Sequence, residues 1–233
     1  MSTIAHNLQA VDASIVAAAA AAGRPRADVQ LLAVSKTFPA GAVLDAVAAG
    51  QRAFGENYLQ EALDKMRAVA QALPGIELAW HFIGPIQSNK TKPIAGGFSW
   101  VHTVDRLKIA QRLSEQRPPE LGPLNICLQV NISGEASKSG VSPGELPDLA
   151  RQVALLPNLH LRGLMAIPEP ETQAEKQRIA FRQLRELADT LRAQGLALDT
   201  LSMGMSSDLA AAVMEGATIV RIGTAIFGSR HYD

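Results

Sequence analysis

The chain has 233 residues, 47% of them apolar, which is enough material to bury one large core. Its 22 basic and 22 acidic side chains balance to a formal charge of zero, so a broad basic surface for nucleic acid is not indicated. Cys127 is the only cysteine, which excludes an intramolecular disulfide, and no Cys/His group has the spacing of a metal site.

The alanine-rich N-terminal stretch around Ile15–Ala22 is too short to span a bilayer and follows no basic segment. It reads as a helix ended near Gly23 rather than an anchor or secretory signal, with a cytoplasmic location as the expectation. Beyond it, strand-like runs alternate with helical periods. Strands are expected at 29–36, 52–55, 77–83, 99–103, 124–132, 159–165, 199–203 and 218–223. Most are continuous apolar runs, the pattern of parallel strands covered by helices. Leu59, Ala62, Leu63, Met66, Val69, Ala70 and Leu73 recur at three- and four-residue spacing and form one apolar stripe. Asp105 is a candidate N-cap, and the breakers of 117–123 read as a loop. Ser142-Pro143-Gly144-Glu145 has the form of a capping box with proline at the first helical position. Ala180, Leu184, Leu187, Ala188 and Leu191 mark another helix, closed by Gly195. Ser206 or Ser207 suits the N-cap of one more. Eight strand–helix units after one extra helix predict an α/β fold: a single (β/α)8 TIM-type barrel domain over 1–233. An open doubly wound sheet has the same periodicity and stays the alternative.

In a parallel barrel the working face lies at the carboxyl ends of the strands. Lys36 stands at the first of these. A desolvated lysine there suits a Schiff base; the alternative is a stem that snorkels to the rim with its charge in water. After strand seven, Ser202-Met203-Gly204-Met205-Ser206-Ser207-Asp208 offers a close-approach glycine and two hydroxyls. After strand eight, Gly223-Thr224 offers a second donor set. Each alone fits an ordinary cap or loop, but the pair occupies the phosphate-binding position of many barrels. Arg221, inside strand eight, would donate to the ring nitrogen of a pyridine cofactor lying across the mouth and leave that nitrogen unprotonated. His81 reads as a core histidine or a site residue; Asn57 and Asn131 as ligand-orienting or capping residues. Lys90, Lys92 and Lys138 read as solvated loop charges, with a second anion site as the other reading. No P-loop, Gly-x-Ser-x-Gly or Gly-x-Gly-x-x-Gly pattern occurs.

Several segments match one family in order: Ala33-Val34-Ser35-Lys36, Phe54-Gly55-Glu56-Asn57-Tyr58, the run from Trp80 to Lys90, and Val130 to Gly140. Gly163 to Pro168, Leu201 to Ser206 and Val220 to Gly228 complete the set. Together they resemble the pyridoxal phosphate homeostasis protein family over essentially the whole chain. The resemblance implies a barrel similar to the N-terminal domain of alanine racemase, holding pyridoxal 5′-phosphate (PLP) as an aldimine of Lys36. It implies Arg221 at the pyridine nitrogen, Ser206, Gly223 and Thr224 at the phosphate, and Asn57, His81 and Met165 lining the pocket. Ser207 departs from the acidic residue expected in many relatives, while Asp208 keeps one next to it.

The implied role is a carrier that buffers PLP and maintains vitamin B6 homeostasis, without established turnover. A PLP-dependent amino-acid racemase or related enzyme is the alternative, and a Schiff-base aldolase for sugar phosphates a third. A two-base racemase needs an acid/base group on the opposite cofactor face. Alanine racemase adds a β-domain there, whereas this chain ends at Asp233 with Tyr58 and Tyr232 its only tyrosines. The expected partners are therefore PLP and PLP-dependent apoenzymes as recipients, with no nucleic acid and no membrane, and the protein a monomer.

Overall fold

A computed structural model of the chain describes residues 2–134 and 139–229; Lys138 and Tyr232 lie outside them. The strands are β1 (Gln30–Val34), β2 (Ala53–Glu56), β3 (Ala79–Phe82), β4 (Trp100–Val104), β5 (Leu124–Gln129), β6 (Leu159–Met165), β7 (Thr200–Ser202) and β8 (Ile219–Ile222). All pair in parallel with their sequence neighbours. β8 closes on β1 from Gln30↔Ile219 to Ala33↔Ile222, so the sheet is a barrel and the open-sheet alternative falls away. The helices α1 (Thr3–Ala21), α2 (Ala40–Ala48), α3 (Leu59–Ala72), α4 (Thr91–Gly97) and α5 (Leu107–Gln116) come first. They are followed by α6 (Leu146–Ala154), α7 (Ala174–Ala193), α8 (Leu209–Met214) and α9 (Thr224–Phe227).

The strands are short and apolar because helices cover their outer face, and the main core lies in that layer. A smaller cluster of Leu32, Ala53 and Ile219 belongs to alternate positions of neighbouring strands. In a barrel those positions point inward. The extra helix α1 is capped by Ser2, whose hydroxyl accepts from Ala5 N–H at 3.3 Å, and ends before Gly23 at φ 65°. It is stapled to the last two repeats. Asn7 Nδ2 donates to the Ile226 carbonyl at 2.8 Å, and Arg24 Nη1 to the carbonyls of Val213 and Ala217 at 2.9 Å each. Buried Glu215 pins the end of α8 to α7 through Arg178, Arg182 and Arg185.

The capping residues fall differently from the sequence expectation. Ser142 and Glu145 do bond to each other, but they close a turn and α6 begins at Leu146. Arg106 rather than Asp105 precedes α5, and Asp208 rather than either serine precedes α8. That shift leaves Ser206 and Ser207 in a loop over the barrel mouth.

Candidate functional site

A cavity of about 300 Å³ opens at the carboxyl ends of the strands. Lys36, Asn57, Ser206, Ser207, Arg221, Gly223 and Thr224 supply its polar lining, and Val34, Ile83, Ile167 and Met205 its apolar walls. A larger groove of about 630 Å³ lies toward the amino ends of β1 and β2. Its lining is mostly small and apolar, and its Arg26 and Asp12 already pair with each other. The mouth cavity is where separate polar elements converge.

Lys36 follows β1 by two residues, so the strand stops short of the lysine. The chain turns there: Thr37 has φ 69°, a left-handed conformation unusual for a β-branched residue. The next wall comes from a close crossing. A Cβ at Gly84 would stand 2.1 Å from the Asn57 carbonyl oxygen, so only glycine lets the loop after β3 pass over Asn57. Asn57 Oδ1 is buried without a protein partner.

The phosphate-type loops lie on the other side. Gly204 has φ 93°, and a Cβ there would meet the Ala212 methyl at 2.5 Å. Asp208 Oδ1 accepts the Met205 N–H at 2.5 Å and folds the loop back; burial pushes its carboxyl pKa up. Among the described residues, no protein acceptor takes the main-chain N–H of Ser206, Ser207, Gly223 or Thr224. Four uncommitted donors and two kinds of hydroxyl around one cavity suit a dianion. α8 and α9 are each little more than a turn, so the donors are loop groups rather than helix dipoles.

Arg221 is 5% exposed and held by two neutral oxygens. Nη1 donates to Ser202 Oγ at 2.8 Å and Nη2 to the Ala166 carbonyl at 2.9 Å. Burial lowers its pKa to about 10, which leaves it charged at neutral pH. Behind it runs a row of side chains across the barrel interior. Ser202 Oγ lies 2.7 Å from His102 Nδ1, and His102 Nε2 lies 2.9 Å from His81 Nδ1. Burial keeps both imidazoles neutral, with His81 near 3 and His102 well below its ordinary value. Ser202 Oγ accepts from Arg221 and keeps both a proton and a second lone pair for His102, so the row is complete with either direction of the imidazole protons. His81 Nε2 has no protein partner. The His81 ring stacks on Trp100 with centroids 5.3 Å apart and planes at 4°, and the Arg162 guanidinium lies 4.8 Å from the Trp100 ring centroid.

The structure thus brings together Lys36, Asn57, Ser206, Arg221, Gly223 and Thr224, with Ser207 beside them. It does not bring His81 and Met165 to the cavity lining. Both are fully buried, His81 at the end of the row that begins at Arg221 and Met165 in the ladder beside Gln129 and Ser202. Lys90 and Lys92 are exposed and away from the cavity, and Asn131 Oδ1 accepts from Gly134 N–H at 3.1 Å in its own turn. Sequence reasoning missed His102 and Lys65. His102 lies two residues after Trp100 at an inward strand position, a signal that alternation carries. Lys65 lies on the buried face of α3.

The family model described as alanine racemase, N-terminal domain, matches residues 4–231. The pyridoxal phosphate homeostasis protein of Pseudomonas aeruginosa is 66% identical over 232 residues, covering 100% of this chain and 98% of that one. The structure of PipY from Synechococcus elongatus with PLP bound is 38% identical, with a TM-score of 0.83 over 97% of this chain and 100% of that one. Alanine racemase from Corynebacterium glutamicum, 20% identical with a TM-score of 0.68, shares the fold over 98% of this chain and 60% of its own. On the strength of its full-length identity to the first of these, the chain belongs to the pyridoxal phosphate homeostasis protein family.

Proposed function

We propose that this protein binds PLP in the mouth cavity on Lys36, and that it buffers and carries the cofactor to maintain vitamin B6 homeostasis. The observation that carries this reading is the convergence of Lys36, Arg221 and two loops of uncommitted N–H donors on one cavity. Its relatives support it: one bears the name of PLP homeostasis, and PipY has been seen with PLP bound. When bound, PLP supplies an aldehyde carbon open to a lysine amine and a pyridine ring whose electron demand depends on its nitrogen.

The residues divide the work. Ser206, Gly223 and Thr224, with Ser207, hold the phosphate by main-chain and hydroxyl donors. Asn57 turns an unpaired acceptor toward the ligand's donors. Val34 and Ile83 line the cavity as apolar wall together with Lys36. Arg221, fixed by Ser202 and Ala166, donates to the ring nitrogen without surrendering its proton.

That last feature sets how strongly the ring draws electrons, since an unprotonated nitrogen makes a weaker electron sink, and it is compatible with a carrier and with a racemase alike. The cavity lining is what favours the carrier. Among its described residues, Lys36 is the one side chain suited to proton transfer; no His, Asp, Glu, Tyr or Cys stands opposite. The rim is open, with Ile167 and Met205 exposed, which suits exchange. PLP-dependent apoenzymes are the proposed recipients, the cytoplasm the proposed compartment and a monomer the proposed state. Among the described residues no helix is long and apolar enough to cross a membrane.

Two steps test the proposal. PLP titrated into the purified protein should raise a visible absorbance band that is lost in Lys36→Ala; a protein that stays colourless contradicts PLP binding. The loaded protein is then held with L-alanine in deuterated water. The carrier reading expects no sustained α-deuterium exchange, and exchange at enzymic rates rejects it.

A further inference from the structure

The two residues that flank Lys36 are held by one buried ionic cluster. Lys65 of α3 is 5% exposed, and its ammonium has an acceptor for each of its three protons. These are the Ser35 carbonyl oxygen at 2.7 Å, Glu56 Oε1 at 2.7 Å and Glu61 Oε1 at 2.8 Å. The carboxylates reach the same segment. Glu56 Oε1 accepts from the Ser35 hydroxyl at 2.6 Å, and Glu61 Oε1 accepts from the Thr37 N–H at 2.7 Å. The residue before Lys36 is thereby fixed at its carbonyl and its hydroxyl, and the residue after it at its amide.

Stability alone is a weak reason for such a cluster. Taking Lys65 and Glu56 out of water is unfavourable, and well-packed apolar residues of like volume often serve the fold as well or better. Glu56 shows the strain: Oε2 is buried without a partner, and burial pushes its pKa up. Thr37 holds a left-handed φ of 69°, which persists only where the surroundings impose it. The Glu61 bond to its N–H is such a restraint.

We propose that Lys65, acting through Glu56 and Glu61, is a positioning residue for Lys36, fixing the main chain on both sides so that the amine stands in the mouth cavity. This rests on PLP binding there. The step it serves is a condensation: the Lys36 nitrogen attacks the aldehyde carbon and gives up two protons. The carbonyl oxygen leaves with them as water, and a C=N bond joins lysine to cofactor. Nothing is oxidised or reduced.

The test compares two ligands on the full chain. PLP can link to Lys36; pyridoxine 5′-phosphate, with an alcohol in place of the aldehyde, fits the same cavity but cannot. In Lys65→Met and Glu61→Ala, the rate of PLP linkage should fall on the order of 10- to 100-fold, as misplaced reacting groups do. Pyridoxine 5′-phosphate should still bind within about threefold of wild type, since the phosphate loops are untouched. Glu61→Gln keeps an acceptor for Thr37 and should restore most of the rate. Should Lys65→Met fail to fold, Glu61→Ala still decides, because it leaves the Lys65–Glu56 pair in place. Unchanged linkage in Glu61→Ala overturns the proposal, as does an equal loss for both ligands, which marks general damage. A wild-type protein that never links PLP overturns the binding reading itself, and is recognised because the defect is not confined to variants.

Discussion

The main chain flanking Lys36 is held by charged side chains, whereas the Arg221 guanidinium is hydrogen-bonded to neutral oxygens. Lys65, Glu56 and Glu61 sit between the barrel wall and α3 and grip the main chain on either side of Lys36. Ser202, His102 and His81 sit inside the barrel and grip a side chain, the Arg221 guanidinium, through neutral partners. On the proposed function, the difference follows from what each side chain has to do. An amine that is to react must be able to lose its charge, so it is steered through its backbone. A guanidinium that is to donate must keep its charge without having its donors taken by a carboxylate, so it is fixed by neutral acceptors.

Substitutions should separate the two supports. The largest effect is expected on the ionic side. Lys65→Met strands Glu56 as an uncompensated buried carboxylate and should cost about 3–5 kcal/mol in urea unfolding. A cost near zero would mean that the cluster is already relaxed by water.

The neutral row should show itself through pH. Unfolded histidines take up protons near pH 6.5, while folded His81 resists down to about 3. Its contribution is therefore complete above pH 6.5 and is lost as the pH falls, by about 1.4 kcal/mol per pH unit for each buried histidine. Urea midpoints measured across that range should show the slope, and His81→Gln should reduce it. An identical slope in that variant would place the acid sensitivity elsewhere.

Ser202→Ala leaves an Arg221 donor and His102 Nδ1 facing no partner and should cost about 1–3 kcal/mol, read from the same titration. Glu61→Gln should be the mildest, below about 1 kcal/mol, because Glu61 is partly exposed and glutamine retains an acceptor for Thr37. If Glu61→Gln proves worse than Ser202→Ala, the Thr37 contact depends on the full carboxylate charge rather than on an acceptor alone.

The eight strands were legible because buried parallel strands leave continuous apolar runs, and every one lies within its expected stretch or one residue beyond it. The gathering of Lys36, Arg221 and the two loops around one cavity was legible because a barrel brings its strand ends together at one face. Lys65 was not. It falls on the buried face beside Ala62 and Val69, but a lysine on a helix reads as a solvated charge. Its partner Glu56 comes from another element, which only the closed fold brings near. His81 was expected in the pocket lining by resemblance, and its depth depends on where β3 sits in the barrel stagger, which local sequence does not encode. The row from His81 to Arg221 joins β3, β4, β7 and β8, and no spacing along the chain announces it.

The central claim is that PLP is held on Lys36, and chemical trapping tests it most directly. The protein loaded with PLP is reduced with borohydride, which fixes a C=N bond as a stable amine, then digested and mapped by mass spectrometry. The account predicts one pyridoxyl phosphate adduct, on Lys36, and none in Lys36→Ala. An adduct of equal yield on another lysine, or no adduct in a protein that nevertheless retains PLP, would contradict it.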